Sequence, residues 1–120
     1  MTWLAHAKSD LLLSKLGVQE GILLNALCYH AQQAAEKSLK AILIYHKTNF
    51  EFTHNIKNLI SSLPKEIEKP KFFEELPILT DYVVSTRYPG YYEEIPLNEY
   101  GKAVHLAEQT FYWAESIIKK

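Results

Sequence analysis

Tyr29-His30-Ala31-Gln32-Gln33-Ala34-Ala35-Glu36-Lys37-Ser38-Leu39-Lys40-Ala41 decides the fold. No proline or glycine interrupts these thirteen residues, and most of them are strong helix formers. Extended outward, the same helical repeat places Leu23, Leu24, Leu27, Ala31, Ala34, Ser38, Ala41, Ile42 and Tyr45 on one face. The spacing predicts one long central helix from about Gln19 to Lys47. Its middle is small-residue rich, so a neighbouring helix can approach closely there.

Working outward, Thr2 to Leu16 reads as a first helix with Gly17 in the position that favours a left-handed residue. Its apolar side holds Trp3, Leu4, Ala7, Leu11 and Ser14. Thr53 is the expected N-cap of a third helix ending near Leu63. Shorter helices are expected over Glu66 to Leu76 and Ile78 to Thr86, where Pro64, Pro70 and Pro77 divide the chain. Arg87 to Leu97, with Pro89, Gly90 and Pro96, reads as a loop. Asn98 is the expected cap of a last helix reaching Ile118, striped by Ala103, Ala107, Thr110, Phe111, Ala114, Ile117 and Ile118. The expected fold is all-α: an antiparallel up-and-down bundle of four to six helices in one domain spanning residues 1–120.

Composition narrows the function classes. Thirteen basic residues nearly cancel fourteen acidic ones, for a formal charge of -1. That balance argues against gripping nucleic acid by overall attraction. Cys28 is the only cysteine, which rules out an internal disulfide and a thiolate cluster. Its neighbours Leu27 and Tyr29 point to a buried thiol. The start of the chain lacks an apolar signal region, and no run approaches the roughly 18–20 apolar residues that span a bilayer. The expected compartment is the cytoplasm, with no membrane association.

Four segments, in order along nearly the whole chain, resemble the HEPN family. The run His30-Ala31-Gln32-Gln33-Ala34-Ala35-Glu36-Lys37, continued by Leu39-Lys40-Ala41, is similar to that family's most recognisable signature. Trp3-Leu4, Ala7 and Asp10-Leu11 look like its first helix. Thr53-His54-Asn55-Ile56 with Leu59-Ile60 resembles its "THDLxxLL" segment, with Asn55 in place of the usual Asp. Thr86-Arg87-Tyr88-Pro89-Gly90 resembles its "TRYPD" turn, with Gly90 where an acid is common. The resemblance implies a helical bundle, often a homodimer, frequently encoded beside or fused to a minimal nucleotidyltransferase. In some members it implies a toxin that cuts RNA, as part of a toxin–antitoxin type module.

Candidate functional residues follow from both readings. His30, Gln33 and Lys37 stand in a row one turn apart on the long helix. Together they offer an imidazole, an amide and a cation to a phosphate and a base. Arg87 is the only arginine among twelve lysines, and its planar guanidinium can hold a phosphate through two parallel bonds. Tyr88, Tyr91 and Tyr92 offer rings for base stacking or a protein interface.

Nuclease members of the family carry an arginine followed, after four to six residues, by a histidine. The three corresponding positions here hold Tyr92, Glu93 and Glu94. Cleavage would need His30 or His54 instead, so a metal-independent endoribonuclease is the disfavoured alternative and no catalytic residue is assigned. A dimerisation or interaction module without ligand is the other alternative. His54 reads as structural, His105 as exposed, and His6 and His46 as isolated. No metal-ligand spacing or glycine-rich phosphate loop occurs, and no cofactor is expected. The expected partners are a second copy, a nucleotidyltransferase, and a nucleotide or RNA ligand.

Overall fold

The computed structural model describes residues 2–85 and 94–119. Among the described residues five α-helices follow one another: α1 Trp3–Ser14, α2 Leu24–Tyr45, α3 Ile56–Ser61, α4 Asp81–Ser85 and α5 Leu97–Ile118. Two 3-10 turns, Lys71–Glu74 and Leu76–Thr80, lead into α4. Among the described residues there is no strand; an isolated bridge joins Gln19 and Ile22. The all-helical bundle expected from the sequence is what forms.

α2 lies at the centre, packed against both α1 and α5, with α3, α4 and the second 3-10 turn closing the remaining side. Ala7 of α1, Ala31, Ala34, Ala35 and Ser38 of α2, and Ala107 and Ala114 of α5 are wholly buried. Small side chains at these points let the helix backbones approach closely. Between them sit larger buried residues, Leu11, Leu39, Ile42, Leu43, Leu59 and Phe111, each worth about 1.5–3 kcal/mol of burial. Buried hydroxyls find partners on their own helices: Ser38 Oγ donates to Ala34 O at 2.7 Å and Thr110 Oγ1 to Leu106 O at 2.8 Å.

Several helix ends fall elsewhere than the sequence suggests. α2 starts at Leu24 rather than Gln19, because Gly21 takes φ +81 in a turn closed by Ile22 N–H donating to Gln19 O. Leu23 and Tyr45, placed on its apolar face by periodicity, are 56% and 51% exposed. At α3 the cap is Asn55, whose Oδ1 accepts from Asn58 N at 3.2 Å. Thr53 instead turns the chain two residues earlier by accepting from Asn55 N. α5 begins at Leu97 after an extended Pro96, and no side chain caps it, so Asn98 lies inside its first turn.

Gly17 does take the expected left-handed conformation, φ +77. Its N–H donates at 3.0 Å to the hydroxyl of Tyr100, which itself donates to Ser14 O. That one hydroxyl ties the end of α1 to the start of α5.

α2 ends in a Schellman motif: Thr48 N–H donates to Leu43 O at 2.9 Å and Lys47 N–H to Ile44 O at 3.0 Å. The left-handed residue in it is Lys47, φ 54, where glycine carries no Cβ penalty. Lys47→Gly is expected to stabilise the fold by about 1 kcal/mol. Thermal unfolding should show a rise of a few degrees in Tm, and a fall would contradict this reading of the helix end.

Candidate functional site

The described part of the molecule holds two clusters of charged side chains, both built on α2. Each contains one carboxylate, one lysine and one histidine.

In the first, Asp10 of α1 is the carboxylate. Its Oδ1 accepts from His30 Nδ1 at 2.9 Å and its Oδ2 from Lys37 Nζ at 2.7 Å. Asp10 lies beneath, with 10% of its side chain exposed, whereas His30 and Lys37 reach outward at 34% and 22%. An ammonium has three donors and Asp10 occupies one. With Nδ1 hydrogen-bonded to the carboxylate, Nε2 is the nitrogen directed away from it.

The second cluster centres on Glu36, whose side chain is only 2% exposed. Lys40, one turn along and equally buried, donates to Oε2 at 2.8 Å. Gln32 Nε2 donates to Oε1 at 3.0 Å, and His54 Nδ1 lies 3.0 and 3.1 Å from the two oxygens. The Lys40 ammonium also sits 5.4 Å from the Trp3 ring centre and 5.1 Å from that of Phe52. Gln33 turns toward this second cluster, donating to Gln32 Oε1 at 2.7 Å.

The structure therefore brings together two of the three residues that the sequence set in one row. His30 and Lys37 share Asp10; Gln33 is buried in the neighbouring network. Arg87, Tyr88, Tyr91 and Tyr92 lie outside the described residues. Sequence reading gave Asp10, Glu36 and Lys40 no site role, and gave His54 a structural role or, in the disfavoured nuclease alternative, a part in cleavage. The i,i+4 spacing of Glu36 and Lys40 was the available signal. His54 is anchored to Glu36 and its carbonyl accepts from Gln32 Nε2 at 3.3 Å, while His30 faces Asp10. Glu36, which holds the His54 ring, is about 120° round the helix from His30, so the two imidazoles lie on different flanks of α2.

Elsewhere, His105 is exposed as expected. An open depression of about 850 Å³, lined by His46, Glu68, Lys69, Lys71 and Trp113 among others, contains none of the candidate residues. Among the described residues no group of three His, Cys, Asp or Glu side chains could hold a metal ion. No helix of the described residues is long and apolar enough to cross a membrane.

These features fit a known family. The HEPN domain model matches residues 1–118, and the chain belongs to the HEPN family. In structure it is similar to TT1696 from Thermus thermophilus, at 27% identity and TM-score 0.79, covering 95% of this chain and 94% of that one. It is also similar in fold to ST0689, an archaeal HEPN homologue, at 21% identity and TM-score 0.71, covering 97% and 94%. No curated protein matches it.

A third polar group surrounds Cys28, which is wholly buried. Burial pushes its thiol up from 9.0 to about 11; the Glu99 carboxylate adds to the rise and the Tyr82 hydroxyl opposes it. Tyr82 donates to Glu99 Oε2 at 2.7 Å, and burial followed by that bond moves its own ionisation far above the usual range. Folding thus holds the Cys28 proton more tightly than the unfolded chain does. Stability from this group is complete below pH 9 and is lost as pH rises toward 11. Urea midpoints measured from about pH 8 to 10.5 should fall more steeply for the wild type than for Cys28→Ala. Equal slopes would remove Cys28 as the cause. At about pH 8 the native thiol should resist alkylation and react once urea unfolds the chain.

Proposed function

We propose that this HEPN protein binds a nucleotide or an RNA phosphate and acts beside a minimal nucleotidyltransferase partner, in a toxin–antitoxin type module. The observation that carries the reading is the convergence of His30 and Lys37 on Asp10. The buried carboxylate orients two partly exposed donors. A phosphate meets two remaining ammonium donors and the outer imidazole nitrogen. Arg87 is the further phosphate ligand in this proposal, on the strength of its guanidinium and the turn sequence around it. The partner transferase enters from the family resemblance alone.

The reading is of a binding module, not an enzyme on its own. The four to six positions that follow Arg87 lack the nuclease histidine, and His30 and His54 are held by different carboxylates, Asp10 and Glu36. Self-association as a homodimer belongs to the same proposal. Leu12, Leu13 and Leu16 of the first helical segment and its extension are 58%, 41% and 46% exposed, and Val18 beyond them is 74% exposed. Contiguous exposed apolar surface of this kind favours a protein contact.

Titration calorimetry with ATP and a short RNA should detect binding, and Lys37→Ala and Arg87→Ala should each weaken it about tenfold, the size of one charge-assisted contact. Absence of binding, or unchanged affinity in both variants, would end the proposal. Light scattering should report a dimer, and Leu13→Glu should shift it toward monomer.

A further inference from the structure

The second cluster has an outward side that the phosphate site does not use. Residues 46–55, between α2 and α3, run back over α2 as a strap. Phe50 packs partly buried against the core, whereas Phe52, two residues on, is 86% exposed. Core packing therefore does not account for where this ring is held, because a phenylalanine left in water contributes almost none of its burial energy.

Two contacts nevertheless set where the ring stands. One contact comes from beneath, where the Lys40 ammonium lies 5.1 Å from the ring centre. Another comes from His54, whose ring meets Phe52 edge to face, with centres 6.5 Å apart and planes at 68°. His54 is itself held through Nδ1 by both oxygens of a carboxylate that is 2% exposed. Its side chain is 46% exposed, and among the described residues nothing hydrogen-bonds its Nε2. The result is an open corner: an apolar aromatic face on one wall, a hydrogen-bonding imidazole edge on the other, and a buried ion network that keeps both in place.

We infer that this corner receives one unpaired nucleobase of a single-stranded RNA, which stacks on Phe52 and presents its polar edge to His54 Nε2. The choice of nucleic acid rests on the phosphate-binding reading above. Flat heteroaromatic bases suit such a corner because every base has a stacking face and a rim of donors and acceptors. Lys37 and Lys40 are three residues apart on α2, about 4.5 Å of axial rise and about 60° of turn, so the corner lies on the flank of α2 next to the phosphate cluster. A chain of formal charge -1 offers RNA little general attraction, which makes stacking an effective source of affinity.

The test compares labelled hexauridylate with an abasic sugar–phosphate of equal length and charge, by fluorescence anisotropy. The wild type is expected to bind hexauridylate more tightly than the abasic strand. Phe52→Leu should weaken hexauridylate binding about tenfold while leaving the abasic strand unchanged. Phe52→Trp should keep the preference and show quenched indole emission on binding. Equal affinity of Phe52→Leu and wild type for hexauridylate overturns the inference, and so does a wild type that does not distinguish the two strands. Loss of self-association in Phe52→Leu with RNA affinity intact assigns the ring to a protein contact, and also overturns it. If neither strand binds the wild type, the phosphate reading falls first and takes this one with it. If the abasic strand binds and base discrimination is absent, only the corner fails.

Discussion

Packing neighbours around most of α2 imposes the constraint that governs this molecule. α1, α5 and the α3–α4 segment enclose most of the helix, yet its sequence carries Gln32, Gln33, Glu36 and Lys40 in the buried stretch, with Lys37 at its edge. A charge taken out of water without a partner costs several kcal/mol, and removing one member of a buried pair costs about 3–5 kcal/mol. Each ionic group in that stretch has therefore been matched: Glu36 with Lys40 and His54, Lys37 with Asp10. The matching decides how the surrounding elements dock. α1 must present Asp10 at one level, and the strap must bring His54 to another.

Such networks are weak evidence for stability, because well-packed apolar residues of similar volume commonly do as well or better. What they supply here is register and orientation. Asp10 aims the outer nitrogen of His30 away from itself, and Glu36 does the same for His54. Both carboxylates are nearly inaccessible, while both histidines retain a third or more of their side-chain surface. A rigid buried anchor under a half-exposed polar group is a general arrangement for presenting chemistry at a surface.

The thiol and phenol near the start of α5 show the same constraint resolved differently. Cys28, Tyr82 and Glu99 form a packed polar patch in which only the glutamate is suited to carry charge at neutral pH. Burial keeps the other two protonated. That patch is a structural joint between α2, α4 and α5, and its pH sensitivity appears only in alkali.

The sequence by itself determined the helical class, the central helix, the left-handed Gly17 and the family. Those features reside in local propensity and in the repeat of small and apolar residues along one chain segment. It also singled out His30 and Lys37, because polar residues one turn apart are visible without knowing their neighbours. Only the tertiary structure decided that Gln33 turns inward, that Lys40 is buried rather than solvated, and that Asp10 and Glu36 are the centres of the two clusters. Periodicity assigns a helix one wet face and one dry face. A helix enclosed by neighbours on most sides keeps only a narrow wet edge, so the fate of each charge depends on which partner another element brings to it.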